Sequence, residues 1–242
     1  MIAVRDLRYA YPDGREALGG LTLAVALGES VGLIGPNGAG KTTLFLLLVG
    51  VLKSRPGEVT VAGLDPAILA QRKQLPAKVG IVFQNSDDQL FSSTVADDVA
   101  FGPLNLGLLP DEIRVRVAES LRQVGLAGQD DRVPFHLSGG EKRRAAIAGV
   151  LAMRPEVLLL DEPSMFLDPR GRRELIHLVN KLPGTKLIAS HDLALVRDTC
   201  SRVIVVDGGR VVAEGPTSLM GDAILMKEHG LEAVGPFRDI PR

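Results

Sequence analysis

The sequence contains no tryptophan, only two tyrosines and a single cysteine in 242 residues. Because Cys200 has no second cysteine to pair with, an internal disulfide is excluded, which fits a reducing compartment. A dominant charge is lacking as well, since 28 basic residues face 29 acidic ones and the formal net charge is −1. Such a balance provides no overall field that would recruit nucleic acid or an anionic membrane. We therefore expect no nucleic-acid partner.

Long hydrophobic runs are also missing. The longest apolar run, at 44–52, has about half the length that a membrane-spanning helix needs. Residues 1–6 lack the basic region and apolar run that open a signal peptide. These absences predict a cytoplasmic protein without direct membrane insertion, and they leave open whether it contacts a membrane protein.

What the sequence does contain is an alternation of short β-branched runs and helical patterns, which predicts an α/β fold with a mostly parallel sheet. The continuous apolar run at 157–160 is typical of a strand buried on both faces. By contrast, 22–27 and 59–61 look like parts of an antiparallel sheet near the N-terminus, and Asp207-Gly208-Gly209 predicts a hairpin turn. The predicted strands are 21–27, 30–34, 58–61, 79–83, 157–160, 186–190, 203–206 and 210–213.

The middle of the chain, from about 92 to 152, shows no convincing strand. Helical patterns run over 111–124, after Pro110, and over 139–153. Because strand patterns resume at Val157, we expect a helical subdomain inserted into the α/β core of a single domain spanning 1–242.

A Gly-rich loop between a predicted strand and a predicted helix is the strongest motif. Its spacing, Gly-x-x-x-x-Gly-Lys-Thr, is that of the phosphate loop of P-loop NTPases. Glycines let backbone amides surround a polyphosphate, and the following helix adds its N-terminal dipole. Lys41 would reach the β- and γ-phosphates, and the Thr42 hydroxyl would face Mg²⁺. The predicted nucleotide-binding loop is Gly35, Pro36, Asn37, Gly38, Ala39, Gly40, Lys41, Thr42 and Thr43.

Two carboxylates, Asp161 and Glu162, follow the buried strand at 157–160. In open α/β sheets ligands bind beyond the C-terminal ends of the strands, so both carboxylates should face the phosphates. We expect Asp161 to hold Mg²⁺, through water, and Glu162 to orient or deprotonate the attacking water. His191 follows another buried strand, 186–190, and at that strand end it would contact a γ-phosphate and couple to the base.

Three further residues have both a functional and a structural interpretation. Gln84 ends the strand at 79–83 and would reach the metal or the attacking water, or else is a surface glutamine. Tyr11 precedes a Pro-Asp-Gly turn and would stack on adenine. Asp168 stands before Pro169, where it is a helix cap, a functional residue or both.

A second Gly-rich element, Ser138-Gly139-Gly140-Glu141, fits a capping box at the start of a helix. The box explains Ser138 and Glu141, with Glu141 turned back onto the cap. It does not explain the two glycines, which weaken a first helical turn. They make sense if a γ-phosphate approaches the backbone closely at the positive end of the helix.

In their order along the chain, these elements resemble the ATPase subunits of ABC transporters. In that family two subunits dimerise head to tail, and each signature loop completes the partner's ATP site. The resemblance implies that ATP and Mg²⁺ bind, and that Ser138, Gly139 and Gly140 act in trans. It also implies that Tyr11 is the platform on which adenine stacks and that Glu162 is the catalytic base. It further implies that Gln84 lies in the loop that senses the membrane subunit, and that Asp168 takes part in communication between subunits.

The stretches 79–91 and 98–103 are similar to the energy-coupling-factor ATPases, which power uptake of vitamins and of cobalt or nickel ions. Residues 166–168 and 185–191 look most like the cobalt and nickel branch. The implied partners are a second ATPase subunit, identical or paralogous, and transmembrane transport subunits that hold the chain at the cytoplasmic face of the cell membrane.

Two alternatives stay open, an ATPase for vitamin uptake and a soluble ABC-type ATPase not coupled to transport. The sequence departs from the family pattern in two places. Glu141 stands where Gln is usual, and Ser164-Met165-Phe166 stands where small residues are common.

Overall fold

Two β-sheets and the helices packed on them form the structure, a computed structural model that describes residues 1–233. The end of the predicted domain, 234–242, lies outside the described residues. The strands are β1 (Ile2–Ala10), β2 (Glu16–Val25), β3 (Ser30–Ile34), β4 (Val59–Val61), β5 (Val79–Val82), β6 (Val157–Asp161), β7 (Thr185–Ala189), β8 (Arg202–Asp207) and β9 (Arg210–Pro216). The helices are α1 (Lys41–Leu48), α2 (Leu69–Arg72), α3 (Val95–Asn105), α4 (Pro110–Gln123), α5 (Gly139–Leu151), α6 (Pro169–Lys181), α7 (Leu193–Thr199) and α8 (Ala223–Glu228).

The larger sheet has the order β5-β6-β7-β3-β8-β9. All its neighbours are parallel except β8 and β9, which form the predicted hairpin. Gly208 and Gly209 turn that hairpin with φ of 53° and 72°, which is the type I′ requirement. Because β3, β6 and β7 are adjacent and parallel, the segments that follow them meet at one edge of the sheet. This confirms the predicted α/β fold.

The smaller sheet, β2-β1-β4, is antiparallel, as predicted. Its central strand, β1, was missed by the sequence analysis. Its pairing with β2 shifts register between Val4 and Leu7. Arg5 and Asp6 are both exposed there, and Asp6 has a φ of 42°. Such a bulge breaks the alternation of apolar and polar residues by which a half-buried strand is recognised.

Alternating residues of the larger sheet face two different cores. Val157 and Leu159 belong to the core shared with α1 and the smaller sheet, whereas Leu158 and Leu160 face the core shared with α3 to α6. Burial on both faces explains why 157–160 reads as a continuous apolar run.

Three helices, α3 to α5, lie between β5 and β6, and residues 92–152 contain no strand. The predicted helices at 111–124 and 139–153 match α4 and α5 within two residues at each end. Helix α3, which contains Gly102 and Pro103, was not singled out from the sequence. That these helices form an inserted subdomain of one domain stays a prediction.

Within residues 1–233, no helix combines the length and the apolar character needed to cross a bilayer.

Candidate active site

A cavity of about 770 Å³ opens at the edge of the larger sheet where β3, β6 and β7 end. The whole predicted nucleotide-binding loop lines it, together with Tyr11, Gln84, Asp161, Glu162 and His191. The fold thus brings residues from 11 to 191 into one place. The other lining residues were not predicted from the sequence: Arg15, Glu16, Ala17, Met165, Gly230 and Leu231.

The phosphate loop depends on glycine for two different reasons. A Cβ at Gly35 would lie 2.0 Å from the Val206 carbonyl oxygen, and one at Gly40 would lie 2.6 Å from the Ala17 carbonyl oxygen. Those two glycines are required by packing within the chain. Gly38 has a φ of 81° with open space around it, so only its backbone conformation favours glycine.

Lys41 is buried beneath this loop. Its Nζ donates to the carbonyl oxygens of Gly35 at 2.7 Å and Pro36 at 3.1 Å. Burial lowers the pKa of Lys41, while the nearby carboxylates of Glu162 and Asp161 oppose that shift. The ammonium is therefore held in place by backbone oxygens, where added negative charge would stabilise it.

Thr42 and Asp161 meet across the cavity. The Thr42 hydroxyl donates to Asp161 Oδ2 at 2.8 Å, and Asp161 Oδ1 is buried with no hydrogen-bond partner among the described residues. Burial raises the pKa of Asp161, against the Thr42 hydrogen bond. Mg²⁺ prefers oxygen ligands. The site offers three of them: the Thr42 hydroxyl, the Asp161 carboxylate with its unsatisfied oxygen, and the nearby Gln84 amide. The residues present therefore fit that ion.

Glu162 is almost fully buried and is held by the end of β7. Its Oε2 accepts hydrogen bonds from the His191 amide at 3.1 Å and the Ser190 hydroxyl at 3.2 Å, and lies 2.7 Å from His191 Nδ1. The Glu162 backbone donates to the Ala189 carbonyl at 2.8 Å and has a φ of 45°. A non-glycine residue in that conformation costs about 1 kcal/mol or more and persists only where surrounding contacts enforce it.

Gln84 follows β5, which ends one residue earlier than predicted. Its side-chain amide donates to Met165 Sδ at 2.8 Å, so Gln84 contacts the loop that follows Glu162. In the sequence, Met165 stands out only as a departure from the family pattern, and no local signal indicates this contact.

Tyr11 lies between β1 and β2 at the mouth of the cavity. Its hydroxyl shares a hydrogen bond with Thr43 Oγ1 at 3.0 Å, and its ring meets the edge of Tyr9 at 5.2 Å between centroids. The Arg15 guanidinium stands 4.9 Å from the Tyr11 ring centroid. These contacts orient an aromatic ring at the cavity, as an adenine platform requires.

The second Gly-rich element begins α5 with both bonds of the predicted capping box. Ser138 Oγ accepts from the Glu141 amide at 3.3 Å, and Glu141 Oε2 accepts from the Ser138 amide at 2.8 Å. Glu141 also pairs with Arg132 at 2.8 Å. The expectation that Glu141 turns back onto the cap is confirmed.

Gly139 and Gly140 are not required by the chain itself. A Cβ at Gly139 would find its nearest described neighbour at 3.7 Å, and one at Gly140 at 4.0 Å. Neither glycine is among the described residues with positive φ. Ser138, Gly139 and Gly140 line a surface depression with Asp168, and that depression shares no lining residue with the phosphate-loop cavity. The fold does not bring this element to the phosphates of its own chain.

Asp168 is the predicted helix cap. Its Oδ1 accepts from the Gly171 amide at 2.6 Å at the start of α6. The structural half of the expectation for Asp168 is confirmed, and the role in subunit communication stays a prediction.

Glu141→Gln is expected to lower the free energy of unfolding by about 1 kcal/mol at about pH 7, because the ion pair and the favourable charge at the helix start are lost. The pKa of Glu141 lies below its usual range, chiefly because of the Ser138 amide and then the Ser138 hydroxyl and Arg132, against burial. A lowered folded-state pKa means stability that is present above the usual carboxyl pKa and lost as pH falls through the folded-state pKa.

The difference between wild type and Glu141→Gln should therefore shrink as pH falls below the usual carboxyl pKa, and vanish once Glu141 is protonated in the folded state. Urea unfolding over a series of pH values measures it. Glu119→Gln is the control, since the half-buried Glu119 on α4 also forms an ion pair, with Arg154 at 2.9 Å, but lies far from the start of its helix. A difference that persists at low pH would contradict the charge explanation.

The site combines a glycine-rich loop between a strand and a helix, a buried lysine, and a carboxylate pair at the end of a parallel strand. These features define a P-loop nucleoside triphosphatase. The chain matches the family model described as ABC transporter over residues 18–165. It belongs to the ABC transporter family and is an ATPase whose hydrolysis of ATP is coupled to transport.

Its relatives confirm the predicted resemblance to the energy-coupling-factor type. The energy-coupling factor transporter ATP-binding protein EcfA of Methanothermobacter thermautotrophicus is 50% identical over 241 residues, which cover 96% of this chain and 76% of EcfA. Among solved structures, cbiO1 of Clostridium perfringens, part of the ABC transporter complex cbiONQ, is 38% identical with a TM-score of 0.82. That alignment covers 94% of this chain and 93% of cbiO1.

A dimeric ATP-binding cassette, MJ0796, bound to ADP and Pi in a post-hydrolysis state, is 28% identical with a TM-score of 0.80. The alignment covers 90% of this chain and 99% of MJ0796.

Proposed function

We propose that this chain is the ATP-hydrolysing subunit of an import complex of the energy-coupling-factor type, and that the complex takes up cobalt or nickel ions. The observation that supports hydrolysis best is the position of Glu162. It is held by the Ser190 hydroxyl and by His191, at the edge of the sheet where the phosphate loop also lies.

In this proposal the phosphate loop binds the triphosphate through its backbone amides, and Lys41 contacts the β- and γ-phosphates. Thr42, Asp161 and Gln84 would hold Mg²⁺, which neutralises charge that develops on the phosphates. Glu162 accepts the proton of the attacking water, and the neighbouring His191 contacts the γ-phosphate. Tyr11 stacks on the adenine.

A second ATPase subunit follows from Ser138, Gly139 and Gly140. They lie on a surface separate from the phosphate-loop cavity, yet nothing within the described chain requires two glycines there. A helix start with exposed amides is a phosphate site. We therefore propose that these residues contact the ATP of a second copy or of a paralogue, with Asp168 beside them at the subunit contact.

The proposed location is the cytoplasmic face of the cell membrane, with the chain bound to transmembrane subunits. The similarity to cbiO1, which is part of a transporter complex, supports this arrangement. The choice of cobalt or nickel rests on the resemblance of 166–168 and 185–191 to that branch.

Purification of the native complex, identification of the proteins that co-purify and reconstitution in lipid vesicles test the proposal. We expect membrane subunits in the complex and ATP-dependent uptake of labelled Co²⁺ or Ni²⁺, abolished by Lys41→Ala. Uptake of a vitamin instead would overturn the assignment of the cargo. A native complex without membrane subunits would contradict the transport role and favour an ATPase not coupled to transport.

A further inference from the structure

An ion pair outside the cavity is connected to the proposed base. Asp192 follows His191 and caps α7, where its Oδ1 accepts from the Leu195 amide at 3.0 Å. Arg172, in the first turns of α6, approaches the same carboxylate from the other side. Its Nη2 donates to Asp192 Oδ1 at 2.5 Å and its Nε donates to Oδ2.

This pair has the two-pronged geometry that makes arginine and carboxylate strong and directional partners. Both side chains are largely shielded, at 29% exposure for Arg172 and 17% for Asp192. Burial alone would raise the pKa of Asp192, but the hydrogen bonds from Arg172 and the Leu195 amide lower it overall. The carboxylate is therefore fixed in its charged form between two helices.

Hydrogen bonds lead from Asp192 to the base. The Asp192 amide donates to Ser190 Oγ at 3.1 Å, and Ser190 Oγ donates to Glu162 Oε2 at 3.2 Å. Ser190 is completely buried. The 190–192 segment that Asp192 anchors also supplies the His191 amide and imidazole that contact Glu162.

The same ion pair is connected to the chain that follows Glu162, since Arg172 lies in the first turn of α6, the helix that begins directly after the loop 163–168. Arg172 itself lies one helical turn after Asp168, and its amide donates to the Asp168 carbonyl at 2.9 Å. The pair therefore joins both chain segments that hold Glu162, although neither Arg172 nor Asp192 lines the cavity.

We propose that Arg172 is a positioning residue for ATP hydrolysis, which acts through Asp192 to orient the Glu162–His191 pair. This inference rests on the proposed roles of Glu162 and His191. A base must lie within hydrogen-bond reach of the water it activates, and a small displacement of such a group is enough to slow the reaction severely.

Arg172→Met removes the charge and both donors but keeps the aliphatic stem. In the full chain, we expect kcat for ATP hydrolysis to fall about tenfold, while KM for ATP changes by less than about twofold, because the contacts to ATP stay intact. Arg172→Lys keeps the charge but lacks the paired donors of the guanidinium. Its kcat should therefore lie between those of wild type and Arg172→Met. Arg173→Met, at the exposed neighbouring residue of α6, is the matched control and should leave kcat unchanged.

A double-mutant cycle separates positioning from a general structural role. Asp192→Asn preserves the α7 cap, since Asn is a good N-cap residue, but removes the charge. If Arg172 acts through Asp192, Arg172→Met should add little to the loss of kcat already caused by Asp192→Asn. If the two substitutions lower kcat independently, so that their effects multiply, the proposal is overturned. It is also overturned if kcat of Arg172→Met equals that of Arg173→Met, or if Arg172→Met loses ATP affinity by as large a factor as it loses kcat.

Arg172→Lys keeps the test valid if Arg172→Met fails to fold, and a folded Arg172→Lys with wild-type kcat overturns the proposal. Failure of the proposed function gives a different result. If Glu162→Gln hydrolyses ATP at the wild-type rate, the base assignment is wrong whatever Arg172 does. If Glu162→Gln is inactive and the Arg172 variants behave like Arg173→Met, only the present inference is wrong.

Discussion

Glu162→Gln is expected to slow ATP hydrolysis by about a thousandfold, because a general base contributes roughly 10²–10⁴-fold to such a step. Glutamine has the same shape and still offers an oxygen to the Ser190 hydroxyl and the His191 amide, the two donors that hold Glu162 Oε2. The local structure and ATP binding should therefore survive. Single-turnover hydrolysis and equilibrium binding of ATP measure the two effects separately.

The same variant should accumulate as an ATP-bound dimer, which size-exclusion chromatography with and without ATP would detect. Glu156→Gln is the matched control, since Glu156 is exposed and precedes the opposite end of β6, where it pairs with Lys78 at 2.6 Å. It should hydrolyse ATP like wild type. Wild-type turnover in Glu162→Gln would exclude Glu162 as the base.

Gly140→Asp is expected to abolish hydrolysis almost completely without unfolding the subunit. A Cβ at Gly140 has its nearest described neighbour at 4.0 Å, and an acidic residue in the first turn of a helix is favourable. The same carboxylate would repel a triphosphate brought to the start of α5 by a second subunit. Thermal unfolding and ATPase assays on the purified chain check both statements, and Gly140→Ala controls for the loss of glycine.

Mixing Gly140→Asp with Lys41→Ala should restore activity that neither variant has alone. In a mixed dimer one site combines the intact Lys41 of one subunit with the intact Gly140 of the other. Random pairing makes half of the dimers mixed with one good site each, so recovery of about a quarter of wild-type activity is expected.

The sharpest control for this experiment is a mixture of Lys41→Ala and Glu162→Gln. Both residues line the cavity of the same chain, so a mixed dimer retains no intact site and should stay inactive. Recovery by the Gly140→Asp mixture no greater than in this control, when subunits exchange freely, would contradict the shared site.

Much of the candidate site was predictable because its functional residues stand in short contiguous motifs. The loop from Gly35 to Thr43 is recognised from the strand before it and the helix after it, and the pair Asp161-Glu162 is recognised from the buried strand before it. Parallel strands place their C-terminal ends together, so the sequence predicts that Asp161, Glu162 and His191 lie at one edge of a sheet.

Other features were not predictable because they depend on distant pairs. Arg172 and Asp192 are ordinary helix and turn residues in the sequence, and only the packing of α6 against α7 makes them an ion pair. Strand β1 was missed because the bulge at Asp6 breaks its alternation. The contact between Gln84 and Met165 joins residues 81 positions apart.

The sequence by itself determined the chemistry of this protein: a triphosphate loop, an acidic pair and a capped helix start with two glycines, since each depends on local backbone conformation and residue type. The tertiary structure alone decided how these parts are distributed. It places Lys41, Asp161 and Glu162 in one cavity and Ser138 to Gly140 on a different surface. The reason is that the former lie at or beyond the C-terminal ends of β6 and β3, parallel strands on either side of β7, whereas the latter begin a helix outside that sheet.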